Sequence, residues 1–266
     1  MITLKEVTTK KELKAFVKFP FKLYKDSEYW VPPIISQEIK TFDKKENPVF
    51  KDAEARLFLA YKNDEIVGRI AAISNWLEIK SQNLKKMRFG WFDFIDDLEV
   101  SKKLLDKIIE IGKEKGLDYA EGPAGFSNLD KVGVMTEGFE SIAPMVTWYN
   151  YPYYVKHYEA ANFKIEKAYS ESKFPFKNVK PEFFFKAQEL IKRRYQLTAL
   201  KFTETSEVMP YADKMFDLFN ESYASLSSFV AINDVQKEYF KKKFISFVNP
   251  EYIKFVVDKN DKLVGF

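Results

Sequence analysis

The 266-residue chain has no cysteine and a single histidine, His157. The first absence excludes disulfides, thiolate zinc sites and a thiol nucleophile. The second excludes paired-histidine metal motifs of the HExxH kind, and a Ser-His-Asp triad would have to be built on His157. No run approaches the ~20 apolar residues of a membrane helix. The opening MITLKEVTTKKELK lacks the apolar stretch of a secretory signal. The 43 basic and 39 acidic side chains are well mixed, and their net +4 gives no large field for nucleic acid. The composition therefore leads us to expect a soluble, cytoplasmic protein with neither a membrane nor a nucleic-acid partner.

What is present is a large supply of core material: 46 % apolar residues, with 26 Phe and 15 Tyr. ITLKEV reads as a first strand. Residues 9–24 have apolar positions at helical spacing, with Pro20 expected to kink or divide the helix. RLFLAYKNDEIVGRIAAISN reads as two strands about a tight Lys62–Glu65 turn, and KMRFGWFDFI as the next strand. DDLEVSKKLLDKIIEIGKEKG is the clearest helix. Asp96 and Glu99 are spaced as a capping box, and Gly116 stands where a C-terminal cap belongs. LDYAEGPAGF reads as a strand ending in a turn, Pro152 as the start of a helix ending near Asn162, and FKIEKAYSES as a strand. Residues 181–197 read as a helix joining two domains.

Beyond this connector the order restarts. Leu4-Lys5 recurs as Leu200-Lys201 at an offset of 196, and Lys62-Asn63-Asp64 recurs as Lys259-Asn260-Asp261 at an offset of 197. Two matches at nearly one offset, in the same order of elements, indicate an internal duplication. A complete second copy would extend to roughly residue 370. The chain then reads as a piece of a longer protein, or as one whose second sheet a partner strand completes. The expected domains are 1–178, a connecting helix over 179–197, and half of a second copy over 198–266.

The NDEIVG hairpin, the LLDKIIEIGKEKG helix and YEAANF resemble the GNAT superfamily of acyl-CoA-dependent N-acyltransferases. FDFIDD, the Gly122-Pro123 turn and YNYPYY are similar to segments of bacterial two-domain GNAT-like proteins. The resemblance implies an α+β fold: a mixed, mainly antiparallel sheet flanked by helices, followed by a truncated second copy. It also implies acyl transfer from acetyl-CoA or another acyl-CoA to a small-molecule or peptide amine.

The family's diphosphate loop, Gln/Arg-x-x-Gly-x-Gly/Ala, falls here on Asp96, Glu99 and Ser101. Acidic side chains there repel a polyanionic ligand and block close backbone approach. No cofactor is therefore expected on this chain, and in the intact protein the second unit would carry it. Asp93, Asp96, Asp97 and Glu99 could hold Mg²⁺ or Ca²⁺, but capping accounts for them better and no metal site is assigned. Tyr158 matches the family tyrosine that protonates the departing thiolate; packing under Phe163 is the alternative. Trp148 and Tyr153 are the candidate cleft residues. The rival reading is a non-enzymatic binding or scaffold module that keeps the fold.

Overall fold

The computed structural model describes residues 1–127, 129–226 and 229–266. These residues form two compact units, Met1–Ile165 and Glu166–Phe266.

The first unit is a five-stranded sheet in the order β1-β2-β3-β4-β5. Its strands are β1 (Ile2–Glu6), β2 (Ala53–Lys62), β3 (Glu65–Asn75), β4 (Lys86–Phe94) and β5 (Tyr119–Glu121). The first four pair antiparallel and β5 joins β4 in parallel. The β2–β3 hairpin closes on Asn63 and Asp64, both at positive φ (50° and 65°). Asn and Asp tolerate that conformation, which is why the expected two-residue turn forms.

Alternation along the strands builds two cores. Phe58 and Ala60 face one side with Ile70, Phe89, Leu104 and Ile108; Leu57 and Leu59 face the other with Phe16, Val17, Ile73 and Phe126. The first core lies under α4 (Leu98–Glu114) and α5 (Tyr153–Ala160), the second under α1 (Lys10–Leu23) and α2 (Ile35–Thr41). A short α3 (Trp76–Gln82) links β3 to β4.

Alternation fails at one place in β4. Arg69 pairs with Asp93 and Ala71 with Gly90, so β4 carries one residue more than β3 across that interval. Trp91, at φ +46°, absorbs the extra residue. The result puts Phe89 and Phe92 in the same core and Trp91 in the opposite one. A bulge of this kind re-aims side chains and ends regular pairing, as it does here beside β5.

Three local expectations are corrected. Pro20 does not divide α1, which runs through it. Proline cannot donate to the carbonyl of Phe16; the guanidinium of Arg69 does so at 2.9 Å. Residues 164–173 form no strand, since no neighbouring strand pairs with them. The N-cap of α4 is Asp97, which accepts from the Glu99 N–H at 3.0 Å, and not Asp96.

The second unit contains α6 (Pro181–Tyr195), β6 (Thr198–Leu200), α7 (Thr205–Tyr223), α8 (Asp234–Phe240) with a wider turn over 241–245, β7 (Phe255–Val257) and β8 (Leu263–Gly265). Its sheet order is β6-β7-β8, all antiparallel. From β6 onward the second unit repeats the opening order of the first: strand, helix, helix, hairpin. Glu12 caps the start of α1 through the N–H groups of Thr8 and Thr9, and Glu207 does the same for α7 through Thr203 and Glu204. No helix among the described residues is long and apolar enough to cross a membrane.

Candidate functional site

β4 and β5 pair only over Lys86–Arg88 and Tyr119–Glu121. Beyond them the chain turns at the cis Gly122-Pro123 bond, and a narrow cleft of about 10 Å³, room for a single water, opens beside the bulge. Phe92, Asp93, Pro123, Trp148, Tyr154 and Tyr158 are among its walls. Trp148, one of the two candidate cleft residues, lies against Trp91 at 5.7 Å between ring centres. Gly90 is required here, because a Cβ would stand 2.5 Å from the Ala124 carbonyl oxygen and 3.1 Å from the Trp148 ring.

Helix α5 supplies two faces. Tyr154 and Tyr158, one turn apart, look into the cleft. Tyr153 and His157 lie on the neighbouring face, packed on Phe94 at 5.8 and 4.8 Å. The Tyr153 hydroxyl donates to the Phe94 carbonyl at 2.5 Å, so the cleft residue is Tyr154 and not Tyr153.

Tyr158 is 9 % exposed and stacks near Phe89, Phe92 and Phe163. The packing with Phe163 posed as the alternative to a thiolate-protonating role is present, and the same ring lines the cleft. Its hydroxyl is buried with no hydrogen-bond partner. Burial, with the Asp93 carboxylate adding to it, pushes the phenol well above its ordinary pKa. It is a protonated donor with nothing to donate to. Leaving such a group unsatisfied costs about 1–3 kcal/mol, a strain that structures retain where a ligand or water completes the bond.

Asp93 forms the polar floor. Its Oδ2 accepts from Arg69 Nε at 2.7 Å and lies 2.7 Å from Nη2, while its Oδ1 accepts from the Tyr24 hydroxyl at 2.9 Å. The Tyr24 and Tyr154 hydroxyls are 2.7 Å apart, and burial raises both phenols well above their usual range. Sequence reading counted Asp93 only as one of four acids and passed over Arg69 and Tyr24. The signal was there: a charge inside an apolar strand, IVGRIAAIS or RFGWFDFI, has to find its opposite.

Lys131 was also missed. Half-buried, it is two residues from Gly133 of the cleft wall. Desolvation lowers its pKa, against the opposing pull of Glu38 and Asp93.

At the start of α4, Asp96 and Ser101 come together through His157. Ser101 Oγ is 2.7 Å from Nδ1, and Asp96 Oδ1 is 2.9 Å from Nε2. A carboxylate only accepts, so Nε2 carries a proton. Ser101 is 1 % exposed, so this trio ties α4 to α5 and offers no nucleophile. Asp97 caps α4 and pairs with Lys62 at 2.8 Å, which holds its carboxyl below the usual range. Glu99 stands apart, 3.6 Å from Lys103. The four acids thus go to separate partners: Asp93 to Arg69, Asp96 to His157, Asp97 to Lys62 and Glu99 to Lys103. The start of α4 presents three carboxylates and an imidazole, each already engaged by a neighbour.

No protein-family model matches the chain. It is 29 % identical over 154 residues to Protein YghO of Escherichia coli, covering 58 % of this chain and 39 % of that one. It is 31 % identical over 149 residues to the bacterial ceramide synthase of Caulobacter vibrioides, covering 56 % and 38 %. The chain thus spans about two fifths of the length of these curated relatives. Among solved structures it is similar to an aminoglycoside acetyltransferase from a soil metagenome, at 13 % identity and a TM-score of 0.40, over 66 % of this chain and 96 % of that one. In strand order, in the bulge of β4 and in the parallel β4-α4-β5 crossover, the first unit is the expected mixed, mainly antiparallel sheet flanked by helices.

Proposed function

We propose that the first unit is an N-acyltransferase domain that places an acyl group on the amine of a lipid-like acceptor, and that the second unit is the opening half of another copy. The observation that carries the reading is the unpartnered Tyr158 hydroxyl buried at the splayed β4–β5 cleft. The likeness to a ceramide synthase supports the acceptor class, because a ceramide is the amide of a long-chain amino alcohol. The shared order of elements and the two equivalent glutamate caps support the second copy.

An acyl-CoA would supply the activated carbonyl as a thioester. The aromatic walls exclude water from the cleft, and Tyr158 keeps a proton at Oη available to a leaving sulfur. Lys131, half-buried and with its pKa lowered by desolvation, is the candidate base for the proton an amine must give up. Asp93, fixed by Arg69 and Tyr24, orients an ammonium or hydroxyl of the acceptor. The filled α4 terminus favours weak cofactor retention by this chain alone. The same feature favours a second reading, a binding module that keeps the fold and holds an amine or lipid without transfer.

Tyr158→Phe separates these. It should leave stability unchanged or raise it by about 1 kcal/mol, since an unsatisfied hydroxyl is removed. It should also slow amide formation from a long-chain acyl-CoA and a long-chain amino alcohol about a hundredfold. Equal rates of amide formation by the two proteins would exclude the role given to Tyr158, and saturable amine binding with no amide formed by either would exclude the transferase.

A further inference from the structure

α6 buries none of its residues, unlike α7 in the same unit, which buries Val208, Ala212 and Phe216. Phe183, Phe184, Ala187, Leu190, Ile191 and Tyr195 fall on one stripe of α6. Phe183 is 70 % exposed, Phe184 59 % and Leu190 67 %. Phe185 alone points off this stripe and is also exposed. Immediately before the helix, Phe174 and Phe176 are exposed as well.

Charge is concentrated in the same segment, with Arg194 continuing the apolar stripe at the C-terminal end of the helix. Residues 173–195 hold seven basic and two acidic side chains, a net +5 against +4 for the whole chain, so the remaining residues sum to −1. Lys192, Arg193 and Arg194 close the helix, and Lys173, Lys177 and Lys180 precede it. Apart from the 3.8 Å Lys192–Glu189 contact, these basic side chains have no ion-pair partner among the described residues.

We propose that residues 173–195 dock on an anionic lipid surface, with the Phe183–Leu190 stripe at the acyl boundary and the basic side chains at the headgroups. A Phe- and Leu-bearing face beside a Lys/Arg-rich one is the pattern of a helix that lies in the interface. Basic side chains add attraction only where the lipid is anionic. The expectation of no membrane partner rested on the absence of a spanning apolar run, which a helix lying in the interface does not need, and charge averaged over the chain conceals a segment that carries the entire positive excess. The inference is independent of whether the first unit transfers acyl groups.

The test is sedimentation of the full chain with phosphatidylcholine vesicles, with and without phosphatidylglycerol, at low and high salt. Binding is expected only with phosphatidylglycerol and should weaken with salt. Lys192→Gln/Arg193→Gln/Arg194→Gln should weaken it about a hundredfold. Phe183→Ser/Phe184→Ser/Leu190→Ser should lower it at least about tenfold without altering the circular dichroism, since the stripe packs on nothing. Absence of binding, equal binding to both vesicles, or binding that survives the serine substitutions would overturn the proposal. So would a dimer in sedimentation velocity that the serine substitutions dissolve while vesicle binding stays nil.

Discussion

Replacing Arg69 by Met removes one group from three places at once. Asp93 loses its counter-ion, with both partners nearly buried at 5 % and 9 % side-chain exposure. The Phe16 carbonyl, left without an N–H by Pro20, loses the donor that lets α1 continue. The cleft floor loses the group that fixes its carboxylate. Breaking a buried pair from one side costs about 3–5 kcal/mol, because the surviving charge stays in a poorly solvating place. For a unit of 165 residues (Met1–Ile165) that corresponds to a fall of about 6–20 °C in Tm. Urea unfolding followed by tryptophan fluorescence, with Trp91 and Trp148 beside the site, gives the free energy directly. Arg69→Met/Asp93→Asn removes both charges and should be more stable than Arg69→Met alone, with a coupling of at least about 1 kcal/mol. A single-variant loss below about 1 kcal/mol, or a double variant no better than the single, would refute the reasoning.

Acid should weaken the fold in a definite window. Glu6 is held below its ordinary 4.5 by Arg56, Glu54 by Lys115 and Trp76, and Asp97 below 3.8 by Lys62. Their folded pKa values are depressed, so the stability they contribute is present above about pH 4.5 and drains away as pH falls through the lowered values. Denaturation midpoints should be flat from neutrality to about pH 5.5 and fall below that; Arg56→Gln should flatten the acid limb. Gly90→Ala places a methyl against the Ala124 carbonyl and Trp148, so it should cost about 1–3 kcal/mol in thermal unfolding and widen the cleft. An alanine variant as stable as the parent would show that the 123–125 segment yields freely.

Local signals in the sequence determined much of this protein. The Asn63-Asp64 turn, α4 with its apolar face, the helix after Pro152 and the restart after residue 197 were all legible there. Each depends on neighbours a few residues apart, so a short window contains its cause. What only the tertiary structure decided depends on groups far apart in sequence. Arg69 rescues a carbonyl 53 residues away and keeps α1 whole through Pro20. The bulge at Trp91 shifts the parity of β4, so alternation alone assigns Phe92 to the wrong face. His157 draws Asp96 from the capping role to its own Nε2, 61 residues distant, and Asp97 caps instead. Tyr153 and Tyr154 are adjacent and chemically alike, and only the roll of α5 against β4 sends one to the Phe94 carbonyl and the other to the cleft. Composition can show that a buried charge must be paired; which partner it finds is set by how the strands and helices come to lie together.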